Sequence, residues 1–230
     1  MMKTLKLIGV LLDYPQDELW LHRDELLAAA HDAPLPAPRR AALAGFAQRL
    51  LDSDPLVAQD AWLSLFDRGR FLSLLMFEHI HGESRDRGQA MVDLMETYRQ
   101  HGFEISAHEL PDYLPLMLEY LSQQPRDEAL DWLRHIQPIV GLLAARTGER
   151  HSGYQTLFEI LVELAGAAFD YAPLRQRVSQ EPRDDTAEAM DRVWEEEAVR
   201  FGAGAPPGNC APAASQQART QVITLHRGQS

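Results

Sequence analysis

Glu109-Leu110-Pro111-Asp112-Tyr113-Leu114-Pro115-Leu116-Met117-Leu118-Glu119-Tyr120-Leu121 places apolar side chains at 114, 117, 118 and 121. That i, i+3, i+4, i+7 spacing is one face of a helix. Pro111 suits a helix start, whereas Pro115 removes a backbone donor four residues further on. The same period recurs at Met91, Leu94, Met95 and Tyr98, and at Leu43, Phe46 and Leu50. Leu133, Ile136, Val140 and Leu143 repeat it, as do Leu157, Ile160, Leu161 and Leu164. No strict apolar/polar alternation runs for six residues. Leucine occurs 33 times against 16 for valine and isoleucine together, and unbranched side chains lose less rotamer freedom in a helix. The reading is an all-α, multi-helix bundle.

Punctuation separates the helices. Asp54-Pro55 reads as a cap followed by proline at the first helical position. Ser106 with Glu109, and Ser152 with Gln155, have capping-box spacing. Asp67-Arg68-Gly69-Arg70 and His81-Gly82-Glu83-Ser84 read as tight breaks. The spacing predicts helices near 3–13, 17–31, 38–53, 55–67, 70–80, 85–100, 110–123, 127–146, 152–170 and 185–200. Residues 1–200 form a single domain in this reading, with a Pro-rich linker over 33–38. The Gly/Ala/Pro-rich segment 201–230, which holds Cys210, offers little to bury, and a disordered C-terminal tail is expected.

The chain has 230 residues, with 34 acidic and 22 basic side chains giving a net charge of −12. That balance argues against nucleic acid or anionic membrane as the main partner. One cysteine excludes an intramolecular disulfide framework or a Cys-ligated cluster. The apolar run at the start is broken by Asp13 and makes a poor signal peptide, and no uncharged run approaches the ~20 residues of a bilayer span. A soluble cytoplasmic protein is expected.

Chemistry-bearing side chains are densest in Phe77-Glu78-His79-Ile80-His81-Gly82-Glu83-Ser84-Arg85-Asp86-Arg87. One reading is a metal-dependent hydrolase using His79, His81, Glu83 and Asp86. Its difficulty is geometric, because residues two apart on a helix point about 200° apart. The other reading is a helix C-terminus followed by Ser84 capping the next helix. No Gly-x-Ser-x-Gly elbow and no phosphate-binding glycine loop is present, so no catalytic residue is assigned. The segment Glu181–Glu197 carries eight acids and two arginines, which suits either a solvated helix face or a basic peptide. Tyr113, Met117 and Tyr120 suit a helix core, and they equally suit the wall of a groove that takes an amphipathic helix.

Several stretches carry a resemblance to the assembly chaperones of respiratory nitrate reductase, within the redox-enzyme maturation chaperones. They are Leu65-Phe66-Asp67-Arg68-Gly69-Arg70, the long run from Leu74 to Leu94, Glu109-Leu110-Pro111-Asp112, Leu118-Glu119-Tyr120-Leu121, Arg183-Asp184-Asp185-Thr186 and Val193-Trp194-Glu195-Glu196-Glu197. Together they span roughly residues 5–200. The resemblance implies an all-helical chaperone without catalytic activity and with no permanently bound cofactor or metal. Its client would be the catalytic (alpha) subunit of respiratory nitrate reductase, bound through the N-terminal peptide and a second region. That client would be held ready for molybdenum cofactor (bis-molybdopterin guanine dinucleotide) insertion. The wider family carries a Glu-x-Pro-x-Asp-His-like motif, which Glu109-Leu110-Pro111-Asp112-Tyr113 partly resembles, with Tyr113 where histidine is common.

On this reading a client groove lies between the helices around Leu74–His81 and Leu114–Leu121. Leu74, Phe77, Glu78, His79, His81, Asp112, Tyr113, Met117 and Tyr120 would line it, and Glu83, Arg85, Asp86 and Arg87 would set register at the rim. A generic helical peptide-binding adaptor is the remaining alternative.

Overall fold

Two helix pairs, each with its long axes antiparallel, organise the molecule. The computed structural model describes residues 1–82, 84–105 and 109–192. Its helices are α1 (Met2–Leu12), α2 (Glu18–Leu21), α3 (Arg23–His31), α4 (Ala37–Asp52), α5 (Pro55–Phe66), α6 (Met76–His81), α7 (Asp86–Gln100), α8 (Leu114–Gln123), α9 (Arg126–Glu149), α10 (Gln155–Leu164) and α11 (Ala172–Val178). Among the described residues there is no strand, only an isolated antiparallel bridge between Leu75 and Tyr113. The all-α expectation holds. No described helix is long and apolar enough to cross a membrane.

The first pair is α1 against α8. Lys6 meets Glu119 at 3.5 Å, and the Tyr113 hydroxyl donates to Asp13 at 2.8 Å, so the two chains run in opposite directions. Gly9 permits the close approach, since a Cβ there would lie 3.1 Å from the Pro115 carbonyl oxygen. The second pair is the hairpin of α9 and α10. Gln137 donates to the Val162 carbonyl at 3.0 Å and Arg134 to that of Ala165 at 3.3 Å. At 24 residues α9 is about 36 Å long. It continues through Pro138 because α10 and α11 pack along it. Leu5, Ile8, Met117, Leu118, Leu143 and Phe158 belong to one continuous core through Met1–Asp191, which clusters as one compact unit.

Local signals explain the starts of α5 and α8. Asp54 Oδ1 accepts the Leu56 N–H at 2.9 Å, and Pro55 opens α5. Pro115 lies in the first turn of α8, where its missing N–H would have had no intrahelical partner. Residues 32–36 separate α3 from α4, so the expected 33–38 linker is shorter: Ala37 and Pro38 already form the first turn of α4, where a proline is tolerated.

Several predicted elements differ. The 17–31 helix is two, broken at His22 (φ −100°, ψ 19°). The helix expected over 70–80 starts only at Met76, and the one over 110–123 only at Leu114. Both starts are delayed by main-chain pairing: Met76 N–H donates to the Asp112 carbonyl at 2.9 Å and Leu114 N–H to that of Leu74 at 2.8 Å. The helix expected over 152–170 ends at Leu164, with Gly166 at φ +77°, and α11 follows as an element the period did not reveal. Ser152 Oγ accepts the Tyr154 N–H at 3.3 Å, but Gln155 turns to Glu159 at 2.8 Å, so no reciprocal capping box closes. The Ser106–Glu109 cap, the helix beyond 192 and the 201–230 tail lie outside the described residues.

Candidate binding site

The two sequence clusters do come together, through Asp112. Its carboxyl is fully buried; Oδ2 accepts the Phe77 N–H at 3.0 Å and lies 4.0 Å from Arg87, while Oδ1 has no hydrogen-bond partner among the described residues. Burial drives its pKa up, against the Phe77 N–H and the Arg87 charge that pull it down. Arg87 also donates to Glu78 at 3.2 Å. Asp112, Glu78 and Arg87 therefore join α6, the start of α7 and the entry to α8.

This junction is closed. Leu74, Met117 and Tyr120 are at most 3% exposed. The Tyr120 ring packs at 4.5 Å from Tyr98 and 5.7 Å from Phe103 (centroid distances), and its hydroxyl meets His101 at 2.9 Å. Phe77 and Tyr113 are half-buried against the core. The entries of the Leu74–His81 and Leu114–Leu121 segments are hydrogen-bonded to each other, Met76 N–H to the Asp112 carbonyl and Leu114 N–H to that of Leu74. Leu74, Met117 and Tyr120 belong to the core and not to an exposed wall. Arg85 and Asp86 are exposed, and Ser84 Oγ accepts the Asp86 N–H at 3.2 Å, as the capping reading expected. Glu83 lies outside the described residues.

The two histidines diverge, as two residues on one helical turn must. His79 Nε2 lies 2.8 Å from the Ser73 carbonyl oxygen. A carbonyl only accepts, so Nε2 carries the proton and is not free to ligate a metal. Burial holds His79 below the usual histidine range, and the Arg146 charge adds to that effect. His81 instead meets the Phe77 ring edge-on, 5.6 Å between centroids. Among the described residues no group of three or more His, Cys, Asp or Glu side chains converges to hold a metal.

Open concave surface lies on the far side of α1. A groove of about 580 Å³ runs between α1 and the α2–α3 segment, with Leu7, Val10, Tyr14, Leu19, Leu26 and Ala29 supplying its apolar lining. Lys3, Lys6 and His22 stand along it with Asp13, Glu18 and Glu25. A smaller depression on the α8 side, about 90 Å³, shares Lys6, Val10 and Asp13 and adds Glu109, Tyr113, Leu116 and Glu119. Of the candidate site residues that are described, only Tyr113 lines this surface. The remaining lining was missed because the first residues were read only as an apolar run broken by Asp13, and a groove formed with α2 and α3 has no local sequence signature. In the structure Val10 is a large apolar residue that stays 37% exposed beside this groove.

The fold is all-helical, its polar clusters tie helices together, and its open concave surface is an apolar groove fringed by charge, which is the make-up of a helical binding protein. More particularly, the chain belongs to the nitrate reductase delta subunit family, whose profile matches residues 32–150. It is 48% identical over 217 residues to the nitrate reductase molybdenum cofactor assembly chaperone NarJ of Escherichia coli (strain K12), covering 94% of this chain and 92% of that protein. It is 46% identical over 201 residues to the probable chaperone of the same kind, NarW, from that strain, covering 87% and 84%. The probable NarJ of Bacillus subtilis (strain 168) is 28% identical over 175 residues, covering 76% and 92%.

Proposed function

We propose that this chain is a nitrate reductase molybdenum cofactor assembly chaperone that binds the apo catalytic subunit of respiratory nitrate reductase and makes or breaks no covalent bond itself. Near-full-length similarity to relatives named as such chaperones supports the activity. The observation that carries the binding mode is the α1 groove, apolar along its floor and bordered by Asp13, Glu18, Glu25, Glu109 and Glu119 against Lys3 and Lys6. An amphipathic helix with basic residues beside its apolar face complements that surface in polarity and charge. The N-terminal peptide of the catalytic subunit is the occupant in this reading, and a second region of the client docks elsewhere on the chaperone. The cofactor, bis-molybdopterin guanine dinucleotide, then enters the client and not the chaperone.

Co-purification with the catalytic subunit, with and without its first ~15 residues, a length typical of helix-in-groove ligands, tests this. The intact subunit is retained and the truncated one is retained more weakly. Equal retention would remove the peptide from the reading, and no retention of either would remove the client.

A further inference from the structure

Two stretches quoted above for the resemblance, ending at Arg70 and beginning at Arg183, are distant in sequence and meet in the fold. Residues 181–185 lie across the C-terminal end of α9 and the loop that leads into α6. Arg146 grips Glu181 with two donors, at 2.8 and 3.0 Å, and gives a third to the Phe71 carbonyl at 2.8 Å. Its guanidinium also stands 4.6 Å over the Phe71 ring. One turn on, Arg150 donates to Asp184 at 2.8 Å and to Asp185 at 3.1 Å. The other oxygen of Asp184 accepts the Phe71 N–H at 2.6 Å. Gly69 makes room for this contact, since a Cβ there would sit 2.6 Å from the Asp184 carboxyl.

Both main-chain polar groups of Phe71 are thus held by this network, the N–H by Asp184 directly and the carbonyl through Arg146, which Glu181 orients. Two residues later Ser73 anchors His79 of α6, and Leu74 and Leu75 pair with the entry to α8. Residues 69–75 have no helix of their own. A loop of that kind takes its order from what holds it: Leu72 and Leu74 are buried in the core and Leu74–Met76 pair with the α8 entry, while at Phe71 the holders are charge-assisted hydrogen bonds from the far end of the domain.

We infer that residues 181–185 are an acidic clasp that locks the loop before α6, and that opening the clasp frees residues 69–82 while the α1–α8 and α9–α10 pairs stay folded. The clasp gives the α6 end of the molecule two states, set by whether Arg146 and Arg150 are held by the chain's own carboxylates. This does not depend on what occupies the α1 groove.

Amide hydrogen exchange on the full chain tests it, comparing the wild type with Asp184→Ala. Peptides covering 69–82 are expected to exchange on the order of tenfold faster, the effect of losing a charged hydrogen bond, while those from α10 and α1 keep their wild-type rates. Unchanged protection of 69–82 overturns the inference. So does uniform acceleration throughout the chain, which would make the network an ordinary part of global stability. If Asp184→Ala does not fold, Arg150→Lys, which keeps the charge but loses the two-pronged geometry, is read by the same criteria.

Discussion

Asp112 caps a helix it does not belong to: its Oδ2 accepts the N–H of Phe77, 35 residues away in sequence, at 3.0 Å. The same residue's carbonyl accepts the Met76 N–H, so two of the first donors of α6 are satisfied by the entry to α8. Replacing Asp112 with alanine leaves the Phe77 donor in a largely buried position, at an expected cost of about 1–3 kcal/mol. Asp112→Asn is expected to cost less. Its amide oxygen still accepts, and burial already disfavours the charged form of the aspartate. Denaturant unfolding of the two variants checks the order.

The pH dependence of stability carries the imprint of His79. Its pKa is lowered from 6.5, first by burial and then by the Arg146 charge, against the pull of the Ser73 hydrogen bond. The unfolded chain therefore binds this proton more readily than the folded one. The stabilising contribution is complete above pH 6.5 and is lost as the pH falls below it. Asp112 works in the opposite sense, because its raised pKa means that acidification relieves a penalty. His79→Gln keeps a donor for Ser73 and removes only the first effect. Unfolding measured at several values between pH 7.5 and 5.5 is expected to show the wild type losing stability relative to His79→Gln. A gap of the opposite sign would mean that the folded protein holds His79 charged.

Helix content was legible because the apolar period is strong where helices pair lengthwise. Leu114, Met117, Leu118 and Leu121 on α8, and Leu157, Ile160 and Leu161 on α10, are all buried as their spacing predicted. Legibility failed where non-local main-chain bonds compete with the helix, as at Leu74–Met76 and Asp112–Leu114. A period-based reading has no access to a partner 35 or more residues away. It also failed on the site. Tyr120 falls off the main α8 stripe and so reads as a candidate wall, yet Tyr98 and Phe103 close over it and leave it fully buried. Burial on two faces of one helix is a property of its neighbours, not of its own period.

Packing between α9 and the segment after α10 makes a sharp steric prediction. Gly141 faces the Phe169 ring so closely that a Cβ would lie 2.0 Å from its tip. Gly141→Ala must therefore displace Phe169, which itself packs 4.9 Å from Tyr171 (centroid distance). The expected loss is about 1–3 kcal/mol, although alanine is the better helix former by about 1 kcal/mol at an unobstructed site. Adding Phe169→Leu is expected to recover part of it, and a double-mutant cycle by thermal unfolding measures the coupling.

Val10 and Tyr120 separate the open groove from the closed junction by opposite pairs of outcomes. Tyr120 is fully buried, and truncation to alanine is expected to cost about 3–5 kcal/mol of stability. Any fall in affinity for the client peptide would then track the fraction of folded protein. Val10 is 37% exposed on the ridge shared by both depressions beside α1. Val10→Asp is expected to change stability by no more than about 0.5 kcal/mol, as an exposed substitution does. Within the proposed α1 site it would replace apolar contact with a desolvated charge, and about tenfold weaker peptide binding is expected, equivalent to about 1.4 kcal/mol. Calorimetric titration with the N-terminal peptide of the nitrate reductase catalytic subunit, set beside melting curves of the same variants, distinguishes the two. Wild-type affinity in Val10→Asp would move the client away from α1. Wild-type stability in Tyr120→Ala would return Tyr120 to the list of groove residues.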